Sequence, residues 1–328
     1  MSTRDKVVTL TPSGGKKTPD GRFPPHAKHI NDPPTLGAME PGPFLLVMIS
    51  ACSHATWNFL AKKGEDKEAY MWIMVSTSLI TLIPIYLIFL PNWTFPLTAL
   101  PYMLVSAVAE TLYFITLSKA YELGDLSVVY PLARSSPLFL SVLAVLLLNE
   151  SISAWGAVGI LLMVIGVYTI HLRSFDLKGL FLPFRSLKGR ASQFAILTAI
   201  WTTVYSIADK VAVGTVDPLL YSLWLEVFIF PLLTVVVLWR RGKESIKREL
   251  RNSWVNATAG GFLMRIGYVL VLIAMSRVQV SYILALRQVS VVLGAAAGVF
   301  FLQEKYGRVR LISSTLIFLG VYILAILS

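Results

Sequence analysis

The sequence predicts an all-α membrane protein with ten transmembrane helices arranged as two inverted five-helix repeats. Three observations predict it. Of 328 residues, 55% are apolar and only 14% are charged, where a soluble domain carries about 25% charged residues; the mean hydropathy is +0.68. Ten apolar stretches fall between 44 and 328, each near the roughly 20 residues that cross a hydrocarbon core. The chain also matches itself: an offset of 154 lays 110–172 over 264–326 without a gap, with 11 of 63 positions identical. These include Glu150 over Glu304 and Gly166-Val167-Tyr168 over Gly320-Val321-Tyr322.

Residues 1–43 hold 8 of the 17 prolines and 5 of the 21 glycines, a composition that cannot support a packed core and predicts a disordered tail. Its longest apolar stretch, Val7 to Leu10, is too short for a secretion signal, and Met39 is an alternative start. Gly14-Gly15-Lys16-Lys17-Thr18 lacks the leading Gly and the Ser/Thr of a phosphate loop. The first repeat, 44–172, is predicted to place helices at 44–62, 70–90, 98–118, 126–148 and 154–172. A basic linker, 173–191, follows. The second repeat, 192–328, is predicted to place them at 192–213, 218–239, 254–276, 279–302 and 309–327. An odd number of spans per repeat makes the two copies enter the membrane in opposite senses. A weaker match sets Asn58–Lys63 against Tyr205–Lys210.

Charge supplies an orientation. The net charge is +11, and of 29 Lys and Arg, eighteen fall in odd-numbered loops and two in even-numbered ones, with six more in the tail. In a membrane protein such an excess reports sidedness and not nucleic-acid binding. The odd loops are therefore expected in the cytoplasm and both termini outside. The single Cys52 cannot form an internal disulfide, and no spaced Cys/His cluster predicts a metal or other cofactor.

Ionisable groups inside a span are costly and are functional candidates by default. By distance from the span ends, His54, Glu110 and Arg265 are central, with Asn58 one turn after His54 on the same helix face. In the repeat register Arg265 overlies Thr111, beside Glu110, which predicts a Glu110/Arg265 pair flanked by Tyr113 and Tyr268. Arg134 and Arg287 each lie about a third of the way in. The prolines at 131 and 137 around Arg134 predict a broken helix of the kind that lines transporter sites. Glu226 is placed to balance one cation. Asp209 with Lys210 is read as an interfacial ion pair, and Glu150 with Glu304 as boundary residues. Gly294 to Gly298 forms a small-residue packing face, and Trp57, Trp72, Trp93, Trp155, Trp239 and Trp254 form an interfacial belt.

With these residues named, the chain resembles the ten-helix EamA-like transporters of the drug/metabolite transporter superfamily over about 44–328. The likeness rests on His54-Ala55-Thr56-Trp57-Asn58 with Lys62, on Ala120-Tyr121, Gly124-Asp125-Leu126-Ser127, Tyr130-Pro131-Leu132-Ala133-Arg134 and Asn149-Glu150, and on Leu286-Arg287-Gln288-Val289-Ser290 with Glu304. It implies a carrier in the cytoplasmic membrane that moves small metabolites, often outward, by alternating access, sometimes coupled to protons. Many relatives keep both termini inside with a basic loop between helices two and three, whereas 90–98 here has no Lys or Arg.

The expected solute carries a carboxylate, as amino acids do. The excess of Arg134, Arg265 and Arg287 over Glu110 and Glu226 would hold it, and Glu110 or His54 would carry a coupled proton. An intramembrane enzyme would need HExxH, GxSxG or paired aspartates, and none occurs. A non-transporting membrane sensor or partner protein is the alternative reading. The partners expected are a small metabolite, membrane lipid and protons, with no nucleic acid and no oligomeric state assigned.

Overall fold

The computed structural model describes residues 39–61, 64–124, 129, 132–170, 172, 181, 188–293, 296 and 308–328. No strand occurs among them. The helices are α1 (Pro41–Ala61), α2 (Lys67–Phe89), a 3₁₀ turn (Leu97–Ala99), α3 (Leu100–Leu123), α4 (Ser136–Leu148), α5 (Ala154–Thr169), α6 (Arg190–Val213), α7 (Pro218–Met275), α8 (Val280–Leu286) and α9 (Arg308–Ile326). Among the described residues six helices are long and apolar enough to cross a membrane, and α4, α5 and the 280–293 segment are shorter apolar helices.

Local chemistry starts these helices where the sequence allows. The side chains of Asp66, Ser153 and Asp217 accept the first free amides of α2, α5 and α7. Asn149 closes α4 in the left-handed conformation, φ 53°. Predicted spans seven and eight are not separated by a loop. They form the 58-residue α7, broken only at Gly242, whose φ of 74° suits a residue without a side chain. We call the stretches before and after Gly242 its first and second arms. Predicted spans four and nine are interrupted: Arg134 lies in a turn between the helical residues 132–133 and the helix that begins at Ser136, and Arg287 in a turn between α8 and the helical residues 289–293. Ser290 and Val291 donate to carbonyls three residues back, a tighter winding than the α-helix.

The packing crosses the repeat boundary. The most extensive contacts among the described helices are α2 with α7, α3 with α6, α5 with α9 and α1 with α7, so each pairs a first-repeat helix with a second-repeat one. The two-fold relation is visible in single residues. A side chain on Gly166 would collide with Ile317 and the Ser313 carbonyl, and one on Gly320 with Met163 and the Gly159 carbonyl. Adding 154 to 166 and 159 gives 320 and 313, so these two contacts are symmetry mates.

Loop contacts sort into two faces. At one, Arg240 grips Glu68 through two hydrogen bonds of 2.8 and 3.1 Å, Ser245 donates to Asp66 at 2.6 Å, and Arg241 pairs with Glu68 and with Glu122. Burial alone would raise the Asp66 carboxyl. The Ser245 hydroxyl, the Ala69 amide, the Arg241 guanidinium and the Glu68 amide outweigh it and hold Asp66 below the usual carboxylate value. At the other face Gln279 donates to the Ser151 carbonyl, Glu150 accepts the amides of Val280 and Ser281, and the Met39 amide donates to Ala325. Glu150 thus closes α4 and caps α8, the boundary role expected of it. Ile88, Leu146, Val235 and Phe318 point outward, between half and three-quarters exposed, which is how a lipid-facing surface reads. Trp155 is exposed at the start of α5, Trp239 at the end of the first α7 arm and Trp254 within the second arm, but Trp57 is buried at 3% and donates to His54, so it is a cavity-wall residue and not an interfacial one. Glu304, most of 294–298, Tyr130 and Pro131 lie outside the described residues.

Candidate functional site

Two adjoining cavities open between the repeats. The first is lined by His54, Tyr113, Arg134, Thr198, Thr202, Tyr205 and Arg287 among others. The second is lined by His54, Trp57, Glu110, Tyr113, Tyr205, Met264, Arg265, Tyr268 and Arg287. They share His54, Tyr113, Tyr205 and Arg287. Seven of the eight candidate site residues therefore meet here. The eighth, Asn58, spends its amide on the His54 carbonyl at 2.7 Å and lines neither cavity.

Each side chain is placed by its helix. His54, on α1, takes the Trp57 indole N–H on Nδ1 at 3.2 Å, lies 3.5 Å from an Arg287 nitrogen through the same atom, and leaves Nε2 without a hydrogen-bond partner. Arg134 and Arg287 enter the first cavity from turns at the ends of α4 and α8, positions one residue apart in the repeat register. The broken helices thus supply the cations, as the prolines around Arg134 imply.

The expected Glu110/Arg265 pair is corrected. Arg265 is 3% exposed and its partner is Glu226 on the first arm of α7, fully buried and 3.1 Å away, which also accepts the Ser78 hydroxyl. Depth along a helix fixes how far into the membrane a group lies but not which way it points, and Glu226 shares the depth of Glu110. Arg265 Nε and Nη1 and Glu110 Oε1 are buried without hydrogen-bond partners, and both residues line the second cavity. Buried polar atoms of this kind are costly unless something meets them.

Asp209 is also corrected. Its side chain is completely buried and takes three hydroxyls: Ser106 of α3 at 2.6 Å and Tyr221 of the first α7 arm at 2.8 Å on Oδ1, and Tyr268 of the second arm at 2.6 Å on Oδ2. Lys210 turns away to the Met275 and Val278 carbonyls, at 2.6 and 2.9 Å. Residues adjacent on a helix do not face each other, so the proposed Asp209–Lys210 pair could not form. The missed signal is in α6 itself: Thr198, Thr202, Tyr205 and Asp209 recur at helical spacing on one face, as an inward polar stripe must. Tyr268 joins the two systems, since the Arg265 guanidinium lies 5.1 Å from its ring centre. Among the described residues no group of His, Cys, Asp and Glu is arranged to hold a metal ion.

The arrangement has a basic pole at Arg134 and Arg287, an acidic point at Glu110, and an arginine whose charge is already balanced. Its charged and polar lining suits a small polar solute. A sequence model of the EamA-like transporter family matches residues 42–172 and 190–326. No curated protein matches the chain significantly. A solved crystal structure of a protein is similar over 87% of this chain and 96% of its own, with a TM-score of 0.70 at 14% identity, a likeness of fold.

Proposed function

The chain belongs to the EamA-like transporter family, and from that premise we propose that it is a secondary transporter that exports a small carboxylate-bearing metabolite across the cytoplasmic membrane by alternating access. One observation carries the reading: the two cavities share His54, Tyr113, Tyr205 and Arg287, so residues of both repeats wall one polar chamber. Arg134 and Arg287 hold the carboxylate by charge-assisted hydrogen bonds. Arg265 offers two idle donors, and Glu110 or His54 takes the coupled proton.

A metabolite uptake-and-efflux screen on cells with and without the protein identifies the solute. In proteoliposomes Arg287→Ala then lowers flux by at least about tenfold, the loss expected for one charged hydrogen bond. Glu110→Gln lowers flux or uncouples it from a pH gradient. Flux that is unchanged in Arg287→Ala overturns the binding assignment, and wild-type flux with unchanged pH dependence in Glu110→Gln removes the proton role from that residue.

A further inference from the structure

Asp209 lines neither cavity and has no place in the solute site, yet it is the point at which three helices meet. We propose that Asp209 is a proton-binding site that clasps both arms of α7 to α3 and α6 when ionised and releases them when protonated, so that a proton controls the rearrangement of the transporter. This rests on the transport reading above.

An ionised carboxylate only accepts hydrogen bonds, whereas a protonated one must donate through one oxygen. Here both oxygens are occupied by donors: Ser106 and Tyr221 on Oδ1, Tyr268 on Oδ2. That pattern fits the anion, which accepts all three. On protonation one hydroxyl must turn its hydrogen elsewhere and accept from the acid, and the bonds that remain lose the charge that made them roughly twice as strong.

The surroundings leave Asp209 dependent on those hydroxyls. Among the charged and titratable groups near it, α3 supplies Glu110, the second arm of α7 supplies Arg265 behind the Tyr268 ring, and the first arm supplies Glu226, which is already paired with Arg265. Tyr205 is on the same face of α6, and Lys210 points to backbone carbonyls. α4 has no titratable side chain, and at its head and at the end of α8, Arg134 and Arg287 face the cavity. No cation donates a hydrogen bond to Asp209 among the described residues. Its three partners come from two elements with different main neighbours: α3 is packed chiefly on α6, while α7 is packed chiefly on α1 and α2 and less extensively on α3 and α6. Loss of the clasp therefore loosens one packed group from the other, leaving the Lys210 bonds to the Met275 and Val278 carbonyls at one end and the Arg241–Glu122 pair at the basic face as ties between them.

The test uses accessibility and needs no known solute. In a Cys52→Ser, Thr202→Cys protein, a membrane-impermeant maleimide is applied from each side of oriented vesicles. The ratio of the two labelling rates cancels the pH dependence of the thiol itself. Between roughly pH 8 and pH 5.5 the ratio is expected to change about tenfold, the effect of neutralising one charged hydrogen bond. Asp209→Asn, whose amide imitates the protonated acid, should show the low-pH ratio at both values. Tyr221→Phe removes one donor and no charge; it should keep the pH response and shift the pH 8 ratio toward the low-pH one, and it decides the matter if Asp209→Asn does not fold. A wild-type pH response in Asp209→Asn, or a pH 8 ratio in Tyr221→Phe equal to wild type, overturns the clasp. Labelling from both sides with no pH response also overturns it while leaving transport intact. Labelling from one side only under every condition defeats the transport reading and the clasp together.

Discussion

Arg265 is tolerated at 3% exposure because Glu226 meets it at 3.1 Å, and a buried charge stripped of its partner is among the most damaging single changes in a folded protein. Glu226→Ala is therefore expected to cost about 3–5 kcal/mol. Thermal unfolding in detergent checks it, and an unchanged midpoint would mean that water or Glu110 already serves the guanidinium. At this scale the sequence disclosed which residues matter better than whom they touch. His54, Glu110, Arg134, Arg265 and Arg287 were all found from the cost of placing a charge in a span, and all line the chamber. The partner of Arg265 was not legible, because two acidic residues lie at similar depth and the rotation of each helix depends on packing. Asp209 was hidden by its neighbour Lys210, although the stripe of Thr198, Thr202 and Tyr205 leading to it was available.

The helices themselves were legible because apolar length is set by the bilayer and not by neighbours. What escaped was punctuation. Spans seven and eight are joined through one glycine at φ 74°, and the polar 240–253 stretch, which reads as a loop, is helical on both sides of it. The shared Gly-Val-Tyr of the two repeats has a mechanical meaning: Gly166 and Gly320 let α5 and α9 approach until backbone meets side chain. Gly166→Val and Gly320→Val should each destabilise by about 1–3 kcal/mol through overpacking. Because the contacts are symmetry mates, the two costs should agree within about 1 kcal/mol. Widely unequal unfolding midpoints would show that the two-fold relation is not kept at this interface.

For the molecule as a whole, the sorting of loop contacts into two faces gives a topology that can be checked directly. With Cys52 replaced, single cysteines at Glu65 and Lys247, both exposed, should react with an impermeant maleimide from one side of the membrane. Cysteines at Ser151 and Thr215, also exposed, should react from the other. The basic set is expected on the cytoplasmic side; labelling of Glu65 and Lys247 from opposite sides would break the inverted arrangement. The interleaving of the repeats also bears on how the protein is made. Every helix of the first half that has an extensive partner finds it beyond residue 190, so a nascent chain stopped in the linker waits in the bilayer with its inner surfaces unmatched. Two separately synthesised halves should for the same reason find each other in the membrane, while either one produced alone has nothing to dock against and is exposed to quality-control proteolysis.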